Sequence, residues 1–448
     1  MKKAGAEALR RALPEAALPL LDAVVREADR RRASVWLVGG PVRDWLLGVA
    51  VRDVDLLVVG DDLAAAGDLA ERAAPDGVRV VRHPRFGTAE LHHQGVVIEL
   101  ATSRRETYAQ AGALPSVSPG TLDDDLARRD FGANALAFPL SKTARANDNR
   151  VVEADGALRD LEARRLRVQH SGSFRDDPTR ALRAARLAQR LGLSVTRSTH
   201  AALRDALRAG VFGVVSGERL RREFVKLIDD AAIGGDPSRA LRLLDDWHVL
   251  GALEPGLCLD RSAVVPLRRL GRAIATPPWK SLRHRPWRAA LLLWLAPLPS
   301  GLRKRVLERL AVRGEVARSI TVAIRQRDAR LGALARVRGR GAVDSLLGPL
   351  DEEELHALYA VGEPKLRRRI LRYATEDRTR RTPASGRDLV EIGLSGPVVG
   401  RALEGIREAF LDGGLSSRDE ALVLAREIGR RSRTAKPGRR VVGRKRQG

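Results

Sequence analysis

The stretch from Val35 to Gly60, VWLVGGPVRDWLLGVAVRDVDLLVVG, constrains the fold more than any other part of the chain. Its pattern predicts an apolar strand, a break at a Gly-Gly pair, a short amphipathic segment and a second apolar strand. Asp53 and Asp55 lie at the start of the second strand, and because strand side chains alternate between faces, both point the same way. Two close carboxylates repel each other unless a cation lies between them, and oxygen ligands of this kind suit Mg²⁺. We therefore predict that Asp53 and Asp55 bind Mg²⁺.

The Gly-Gly pair, Gly39 and Gly40, predicts a phosphate contact beside this site. Glycine lets the backbone approach a phosphate closely, and free backbone N–H groups can bind one. Arg43 lies one short turn further on and can add a charge-assisted contact. Taken alone, a Gly-Gly pair usually marks only a turn, and Asp-x-Asp is common on protein surfaces. Their combination on two consecutive strands is a stronger indication of a metal and phosphate site than either feature alone.

This combination, GGPVRDWLLG followed by RDVDLLV, resembles the nucleotidyltransferase signature of the DNA polymerase beta superfamily. Within that superfamily it is similar to the class II tRNA nucleotidyltransferases and their relatives, the bacterial poly(A) polymerases. The resemblance implies an α+β fold. Its first part would be a polymerase-beta-like head, a small mixed sheet with helices, and an elongated all-α neck, body and tail would follow.

Composition is consistent with a nucleic-acid partner. The 448 residues are 44% hydrophobic, which is enough for several packed domains. The net charge of +25 predicts a polyanionic partner, although an arginine-rich proteome would also contribute to it. A single cysteine, Cys258, excludes an internal disulfide and fits a reducing cytoplasm. The N-terminus shows no signal-peptide pattern, and the apolar run from Trp287 is too short to span a bilayer, so we expect a cytoplasmic protein in which that run is a buried helix.

The signature is predicted to lie in a small mixed unit. Residues 8–32 and 61–74 have helical patterns, and short strands between residues 78 and 100 predict a mostly antiparallel sheet. Glu99 lies on the last of these strands. It is either a third carboxylate that completes the metal site, as the family often has at this place, or a solvent-facing residue at a strand end.

Two adjacent arginines follow a segment without hydrophobic periodicity. Residues 109–120 contain Gly, Pro and Ser and are predicted to be a mobile loop. Their sequence resembles that of the flexible loop of the family. Next, RRDFGANA resembles the family motif RRDFTINA, which implies a triphosphate contact from Arg129 and a nucleotide-binding role for Asn134. The change of Thr-Ile to Gly-Ala affects packing but no charged position.

A second signature, FRDDPTRALRAARLAQRLGL, contains the residues expected to select the base. Its periodicity alone favours an amphipathic helix with a basic solvent face. It resembles the family segment EDPLRxLRAxRFA, however, in which an acidic residue and arginines contact the incoming base and its phosphates. The resemblance assigns these roles to Asp177, Arg180, Arg183 and Arg186. Asp176 replaces the usual Glu, which keeps the charge and shortens the side chain.

The remainder of the chain is predicted to be helical. A segment from Ser216, S-x-E-R-x-x-x-E, and residues 385–428 also resemble the family, and Ser216 is a candidate N-cap. The predicted domains are a catalytic head, a base-recognising neck, a helical body, a tRNA-binding helical tail and a basic disordered end, at residues 1–158, 159–232, 233–338, 339–430 and 431–448. The basic end would either bind nucleic acid or act as a solubilising tail.

The resemblance implies template-independent addition of nucleotides to an RNA 3′ end, in the first place the CCA end of tRNA. The implied substrates are tRNA, CTP and ATP, and the implied cofactor is Mg²⁺ in a two-metal displacement that releases pyrophosphate. RNA would be bound through its shape and backbone, and neither a membrane nor a protein partner is expected.

Other products and one other class of function remain open. CC-adding, A-adding and poly(A) polymerases share these motifs. The loop sequence AQAGALPSV is intact, which argues against a CC-adding enzyme, in which this loop is typically shortened. The stretch HPRFGTAEL stands in place of a GRRF-like one, which argues against a poly(A) polymerase. An RNA-binding protein without catalysis would have lost an aspartate of the pair or a triphosphate arginine, and all of these are present.

Overall fold

A computed structural model describes residues 5–110, 112–113, 115–146, 150–277, 279 and 285–434. The chain divides into two compact units, the first formed by residues 1–259 and 300–312 and the second by residues 260–299 and 313–448. Among the described residues, no helix combines the length and the apolar character needed to cross a membrane. The apolar run from Trp287 forms a ten-residue helix whose last seven residues are all buried, as predicted.

The strands within the described residues all belong to the first unit. They are β1 (Ser34–Val38), β2 (Val54–Val59), β3 (Arg79–His83), β4 (Thr88–His93), β5 (Val96–Thr102), β6 (Arg104–Thr107), β7 (Ser116–Pro119), β8 (Leu136–Pro139), β9 (Val152–Glu153), β10 (Arg165–Leu166) and β11 (Ser194–Val195). One seven-stranded sheet has the order β3-β4-β5-β2-β1-β8-β9, while β6 pairs with β7 and β10 pairs with β11.

The large sheet is antiparallel at every pairing except one. Strands β2 and β5 run parallel, and their register places Asp55 directly beside Glu99. The prediction of a mostly antiparallel mixed sheet is confirmed. Leu37, Leu56 and Leu100 are fully buried in it, as the apolar strand patterns require.

Helices surround this sheet and build the rest of the first unit. They are α1 (Ala6–Ala12), α2 (Leu18–Arg30), α3 (Gly40–Leu47), α4 (Ala65–Ala73), α5 (Leu122–Ala127), α6 (Lys142–Arg145), α7 (Ala157–Glu162), α8 (Ser173–Asp176), α9 (Arg180–Leu191), α10 (Arg197–Arg208), α11 (Gly217–Asp229), α12 (Pro237–Asp246) and α13 (Val249–Leu253). Helix α11 begins at the predicted N-cap, because the Ser216 hydroxyl accepts a hydrogen bond from the Arg219 amide.

Helices continue through the second half of the chain. They are α14 (Arg261–Ala275), α15 (Pro286–Leu295), α16 (Ser300–Arg309), α17 (Gly314–Arg336), α18 (Arg340–Leu347), α19 (Glu352–Val361), α20 (Pro364–Thr375), α21 (Gly386–Glu391), α22 (Pro397–Leu411) and α23 (Arg418–Thr434). Helix α16 belongs to the first unit and the others to the second. One apolar core of the second unit lies around Leu355 and Ile370, and another lies around Leu389 and Ile406.

Three local predictions are wrong. The helix expected over residues 8–32 is two helices, because Pro14 forces Leu13 into an extended conformation and ends α1. The loop expected over residues 109–120 is partly ordered, because its last residues form β7 and pair with β6. Helix α23 extends to Thr434, so the predicted disordered end does not begin at residue 431. Residues 435–448 lie outside the described part of the chain.

The predicted fold class is confirmed: a mixed-sheet head with helices is followed by a helical remainder. The five domain boundaries stay a prediction.

Candidate active site

A single cavity of the first unit, about 920 Å³ in volume, contains nearly all of the predicted site residues. Those that line it are Gly40, Arg43, Asp53, Asp55, Glu99, Arg129, Asn134, Asp177, Arg180, Arg183 and Arg186. The structure therefore brings together two signatures that are more than 100 residues apart in the chain. Gly39 is the one predicted site residue that does not line it.

Three carboxylates lie together on one wall of the cavity. Asp53 directly precedes β2, Asp55 lies on β2, and Glu99 is the neighbour of Asp55 on β5. Burial raises the pKa of Asp55 to about 7, and the negative charges of Glu99 and Asp53 contribute to the shift. Partial burial of its carboxyl and the charges of Glu90 and Asp53 also raise the pKa of Glu99. This wall therefore has an excess of negative charge.

The donor set at this wall fits a hard divalent cation. Oxygen ligands on a surface of unbalanced negative charge are what Mg²⁺ prefers, and it keeps water or phosphate in its remaining positions. No group of three or more His, Cys, Asp or Glu side chains in the described ranges is arranged to hold a metal ion. Asp53 and Asp55 supply carboxylate oxygens on this wall, and their binding of a cation, with or without Glu99 as a third ligand, stays a prediction.

Gly39 has a different role from the one predicted. Its N–H donates to the Leu136 carbonyl at 2.9 Å, so this amide is not free for a phosphate. The residue has φ +74°, which favours glycine, and an added Cβ would lie 2.6 Å from Nη1 of Arg129. The missing side chain at Gly39 thus makes room for the Arg129 guanidinium.

Asp125 holds the arginine pair in place. Its carboxylate is fully buried and accepts hydrogen bonds from Arg128 Nε at 2.9 Å and from Arg129 Nη2 at 2.9 Å. The i,i+3 and i,i+4 spacings in α5 and the residues after it place the three side chains on one face. Arg129 consequently enters the cavity with its orientation fixed by a buried anion.

A second buried network connects the Gly-Gly turn with the arginine motif. Arg43 is 4% exposed, donates from Nε to Asp44 at 2.7 Å and also donates to the Asn134 side-chain oxygen. Burial lowers the pKa of Arg43, against the effect of Asp44. Asn134 in turn donates to Asp130 at 2.9 Å. Burial alone would raise the pKa of Asp130, but Arg183 and the Asn134 hydrogen bond hold it below its usual value.

Asp177 uses only one carboxylate oxygen for internal contacts. Its Oδ1 accepts from the backbone and hydroxyl of Thr179, at 3.0 and 2.6 Å, and pairs with Arg219 Nη2 at 2.7 Å. Its Oδ2 has no hydrogen-bond partner in the part of the chain that the structure describes. The residue therefore caps the turn before α9 and still offers a free acceptor to the cavity that it lines.

Arg180 is a buried cation bound by neutral acceptors. It is 5% exposed and donates to the Ser173 hydroxyl at 2.6 Å and to the Arg128 carbonyl at 3.2 Å. Within the described ranges no carboxylate forms a salt bridge with it. Its positive charge is therefore available to a ligand in the cavity.

Arg183 and Arg186 line the same cavity but are already ion-paired. Arg183 contacts Asp130 at 2.9 Å and Glu223 at 3.2 Å, and Arg186 lies 3.7 Å from Asp230. These pairs connect α9 with the head, with α11 and with the turn after α11. A structural role for both arginines is thus present, whereas their contact with base or phosphates stays a prediction.

Comparison with known proteins identifies the family. Residues 35–167 match the family model of the Poly A polymerase head domain. An A-adding tRNA nucleotidyltransferase of Geobacter sulfurreducens is 30% identical over 440 residues, which cover 93% of this chain and 48% of that protein. The structure of the Thermotoga maritima CCA-adding enzyme complexed with tRNA matches at a TM-score of 0.68 and 26% identity, over 95% of this chain and 98% of that one.

A CC-adding tRNA nucleotidyltransferase of Deinococcus radiodurans is 34% identical over 387 residues, which cover 86% of this chain and 86% of that protein. The chain belongs to the tRNA nucleotidyltransferase and poly(A) polymerase family. It spans about half the length of the A-adding relative, and most of the length of the CC-adding one.

Arg219, which lines the cavity, and Glu223 and Asp125, which hold its arginines, were not predicted individually from the sequence. Arg219 and Glu223 are the basic and the final acidic residue of the segment after Ser216, and they pair with Asp177 and Arg183. That segment was recognised, but the partners of its charges come from distant parts of the chain. In the sequence, Asp125 is one of three consecutive aspartates. Its i,i+3 and i,i+4 spacing to the two arginines could have identified it as their partner.

The repulsion at the carboxylate wall predicts a stabilising substitution. In protein freed of divalent cations by a chelator, we expect Asp55→Asn to raise the melting temperature, because the buried negative charge is removed. The gain in unfolding free energy should be on the order of 1–2 kcal/mol. Scanning calorimetry measures it, with the exposed Asp123→Asn as the control that should change little. A melting temperature that stays the same or falls in Asp55→Asn would contradict this account.

Proposed function

We propose that this protein adds nucleotides to the 3′ end of tRNA without a template, building CCA from CTP and ATP and releasing pyrophosphate. The observation that carries the proposal is the cavity that is lined by Asp53 and Asp55, by the arginine motif and by Asp177 with Arg180. The relatives named as A-adding and CC-adding enzymes, and the CCA-adding enzyme complexed with tRNA, support it.

The reaction joins the RNA 3′-oxygen to the α-phosphorus of the nucleotide and breaks the bond from that phosphorus to the bridging oxygen. The proton of the 3′-hydroxyl is lost, and pyrophosphate leaves. Asp53 and Asp55 would hold Mg²⁺, which would supply Lewis-acid activation of the hydroxyl and neutralise triphosphate charge. Glu99, beside Asp55, adds negative charge that strengthens cation binding at the pair.

The arginines bind and orient the triphosphate. Arg129 enters the cavity with its orientation set by Asp125, and a pre-positioned cation stabilises phosphate charge without reorganisation during the reaction. Arg43 is buried beneath the Gly-Gly turn and adds positive potential to the same region. Both arginines also lower the pKa of Asp55, against the larger effects of burial and neighbouring carboxylates, so their field reaches the carboxylate wall.

Asp177 and Arg180 are proposed to select the base. Cytosine and adenine each present an amino group beside a ring-nitrogen acceptor, whereas guanine and uracil present a carbonyl beside a ring N–H. The free Oδ2 of Asp177 can accept from the amino group, and the Arg180 guanidinium can donate to the ring nitrogen. Guanine and uracil would leave both pairs mismatched, at about 1–3 kcal/mol for each buried group left unpaired.

Addition of the terminal A alone is the second candidate. The A-adding enzyme of Geobacter sulfurreducens matches 93% of this chain, which favours it specifically. The residues of the cavity accept C and A by the same hydrogen bonds and do not separate the two products.

The decisive experiment incubates the purified chain and Mg²⁺ with tRNA transcripts that end before C, after C and after CC, each with CTP or ATP alone and with both. Complete CCA synthesis on the shortest transcript is the expected result. Extension of only the CC-ending transcript, by ATP, would identify an A-adding enzyme. Absence of extension on all three would refute nucleotidyl transfer to tRNA.

In the same assay Asp53→Ala and Asp55→Ala should each abolish incorporation, while the Kd for tRNA stays within about twofold, because both are proposed as metal ligands and neither as an RNA contact. Glu99→Gln serves as the graded comparison, since it keeps the size and removes the charge. A partial loss of activity that higher Mg²⁺ restores would show that Glu99 acts through its charge. Activity of a few per cent in Asp55→Ala would place the metal elsewhere.

Asp125→Asn should raise the KM for CTP and ATP by about tenfold with a smaller effect on kcat, because Arg129 loses the buried anion that orients it. Steady-state kinetics at saturating tRNA measure the effect, and equal melting temperatures verify folding. Asp123→Asn, an exposed carboxylate on the same helix, is the matched control. If Asp125→Asn leaves the KM unchanged, Arg129 does not depend on this pair.

Asp177→Asn is a sharper test of base selection than replacement by alanine. Asparagine keeps the oxygen that caps Thr179 and places an amide donor where Oδ2 faces the cavity, so discrimination against UTP and GTP should fall by at least about tenfold. Values of kcat/KM for all four nucleotides are compared with those of Asp176→Asn, whose carboxylate does not line the cavity. An equal loss for every nucleotide would make Asp177 a structural cap only.

A further inference from the structure

The second unit contains a cavity of its own, about 460 Å³ in volume, between helices α14, α19 and α20. Among the described residues its wall includes four arginines, Arg268, Arg269, Arg272 and Arg367, and no carboxylate. All of its lining residues belong to the second unit, so it is separate from the active-site cavity. A volume of this size is in the range of small-molecule and nucleotide sites.

The arginines of this cavity differ in their partners from several arginines elsewhere in the second unit. Some of those are ion-paired, such as Arg288 with Glu353, Arg330 with Glu354, Arg340 with Asp377 and Arg407 with Asp344. In contrast, the guanidinium groups of Arg272 and Arg367 have neither a hydrogen bond nor an ion pair with any described residue. Neighbouring cations without partners repel each other, and an anion between them removes that repulsion.

Arg269 provides a fixed part of the same wall. It donates to the carbonyl of Ala360 and, at 3.5 Å, to that of Gly362, so it is held by neutral acceptors at the end of α19. Burial lowers the pKa of Arg269, and the charge of Arg367 lowers it further, although Tyr359 and the exposed Glu363 act in the opposite direction. The positive charge around Arg269 is thus only partly balanced.

The remaining wall is apolar and aromatic. Tyr359 and Leu371 are half-buried there, and Val265 is 55% exposed, which is high for a valine beside a cavity. The Tyr359 ring packs on Trp279 with centroids 5.1 Å apart. The Trp279 Nε1 donor is buried and has no hydrogen-bond partner among the described residues, which is a costly state unless an acceptor is supplied.

We propose that this cavity binds one phosphorylated nucleotide, with its phosphate on Arg272 and Arg367 and its base against Tyr359 and Val265. Arginine suits phosphate because its planar fork donates two hydrogen bonds at once, and aromatic and aliphatic surfaces suit the face of a base. An anion without a base would leave the apolar wall exposed, and an apolar ligand would leave the arginines unpaired. The nucleotide can be part of an RNA chain or a free nucleotide, and the two share this chemistry.

Photo-crosslinking of the full chain distinguishes these sources. The probes are 8-azido-ATP and an RNA dodecamer that carries one internal 8-azidoadenosine. Mass spectrometry measures the adduct on the peptide containing Tyr359 as a function of probe concentration. We expect a saturable adduct there. Saturation by the RNA probe alone assigns an RNA site, and saturation by 8-azido-ATP assigns a site for free nucleotide.

Arg272→Ala/Arg367→Ala should raise the probe concentration at half-saturation by about tenfold. Arg272→Lys/Arg367→Lys should raise it less, because lysine keeps the charge and loses only the bidentate contact. The matched control is Arg318→Ala/Arg325→Ala, which removes two exposed arginines of α17 and should leave the adduct curve unchanged. Equal melting temperatures verify folding of all variants. Absence of a saturable adduct with both probes, or an unchanged curve in Arg272→Ala/Arg367→Ala, would overturn the proposal.

Discussion

The parallel pairing of β2 with β5, in a sheet that is otherwise antiparallel, is the constraint on which the active-site cavity depends. It places Asp55 beside Glu99, and Asp53 adds a third negative charge at the end of the same strand. Burial raises the pKa of Asp55, and the charges of Glu99 and Asp53 raise it further, so the ionised carboxylates are unfavourable in isolation. The arrangement is maintained because the strands are fixed by the apolar core of the sheet, and because positive groups from other elements face it. The arginines are therefore needed to offset the negative charge of the carboxylate wall, and not only for the proposed reaction.

The arginines around the cavity fall into two groups that differ in what holds them. Arg129 and Arg183 are held by buried carboxylates, Asp125 and Asp130, whose positions are set by the chain around them. Arg180 is held by a hydroxyl and a carbonyl, so its charge is not neutralised within the described residues. A guanidinium already paired with an anion offers fixed geometry to a ligand, whereas an unneutralised one offers stronger attraction. This difference supports triphosphate orientation by the first group and base reading by Arg180.

The sequence was sufficient for features that depend on local pattern. Strand alternation predicted that Asp53 and Asp55 point the same way. The resemblance to a family predicted that the second signature contributes to the same site. Features that depend on distant contacts could not be predicted. The pairing of Asp177 with Arg219 joins residues 42 positions apart, and the need for glycine at position 39 arises from the approach of Arg129, 90 positions later. The residues of β7 were predicted as part of a loop because the segment is short and lacks an apolar face. Pairing with β6 orders them, and side-chain contacts of β6 such as that of Glu106 with Arg128 also hold the hairpin.

The same distinction among arginines applies to the whole chain, in which 81 Lys and Arg make the net charge uninformative about where ligands bind. Most arginines of the second unit with described partners stabilise helix packing through carboxylates or carbonyls, such as Arg407 with Asp344 and Arg369 with the carbonyls at the end of α17. Arg272 and Arg367 have no such partner among the described residues, and they line a cavity with an aromatic wall, although Arg272 itself is exposed. A cation with no partner inside the protein gains most from an anion outside it. For Arg272 and Arg367, the place beside an aromatic wall, together with the lack of a described partner, is what supports the proposed nucleotide site.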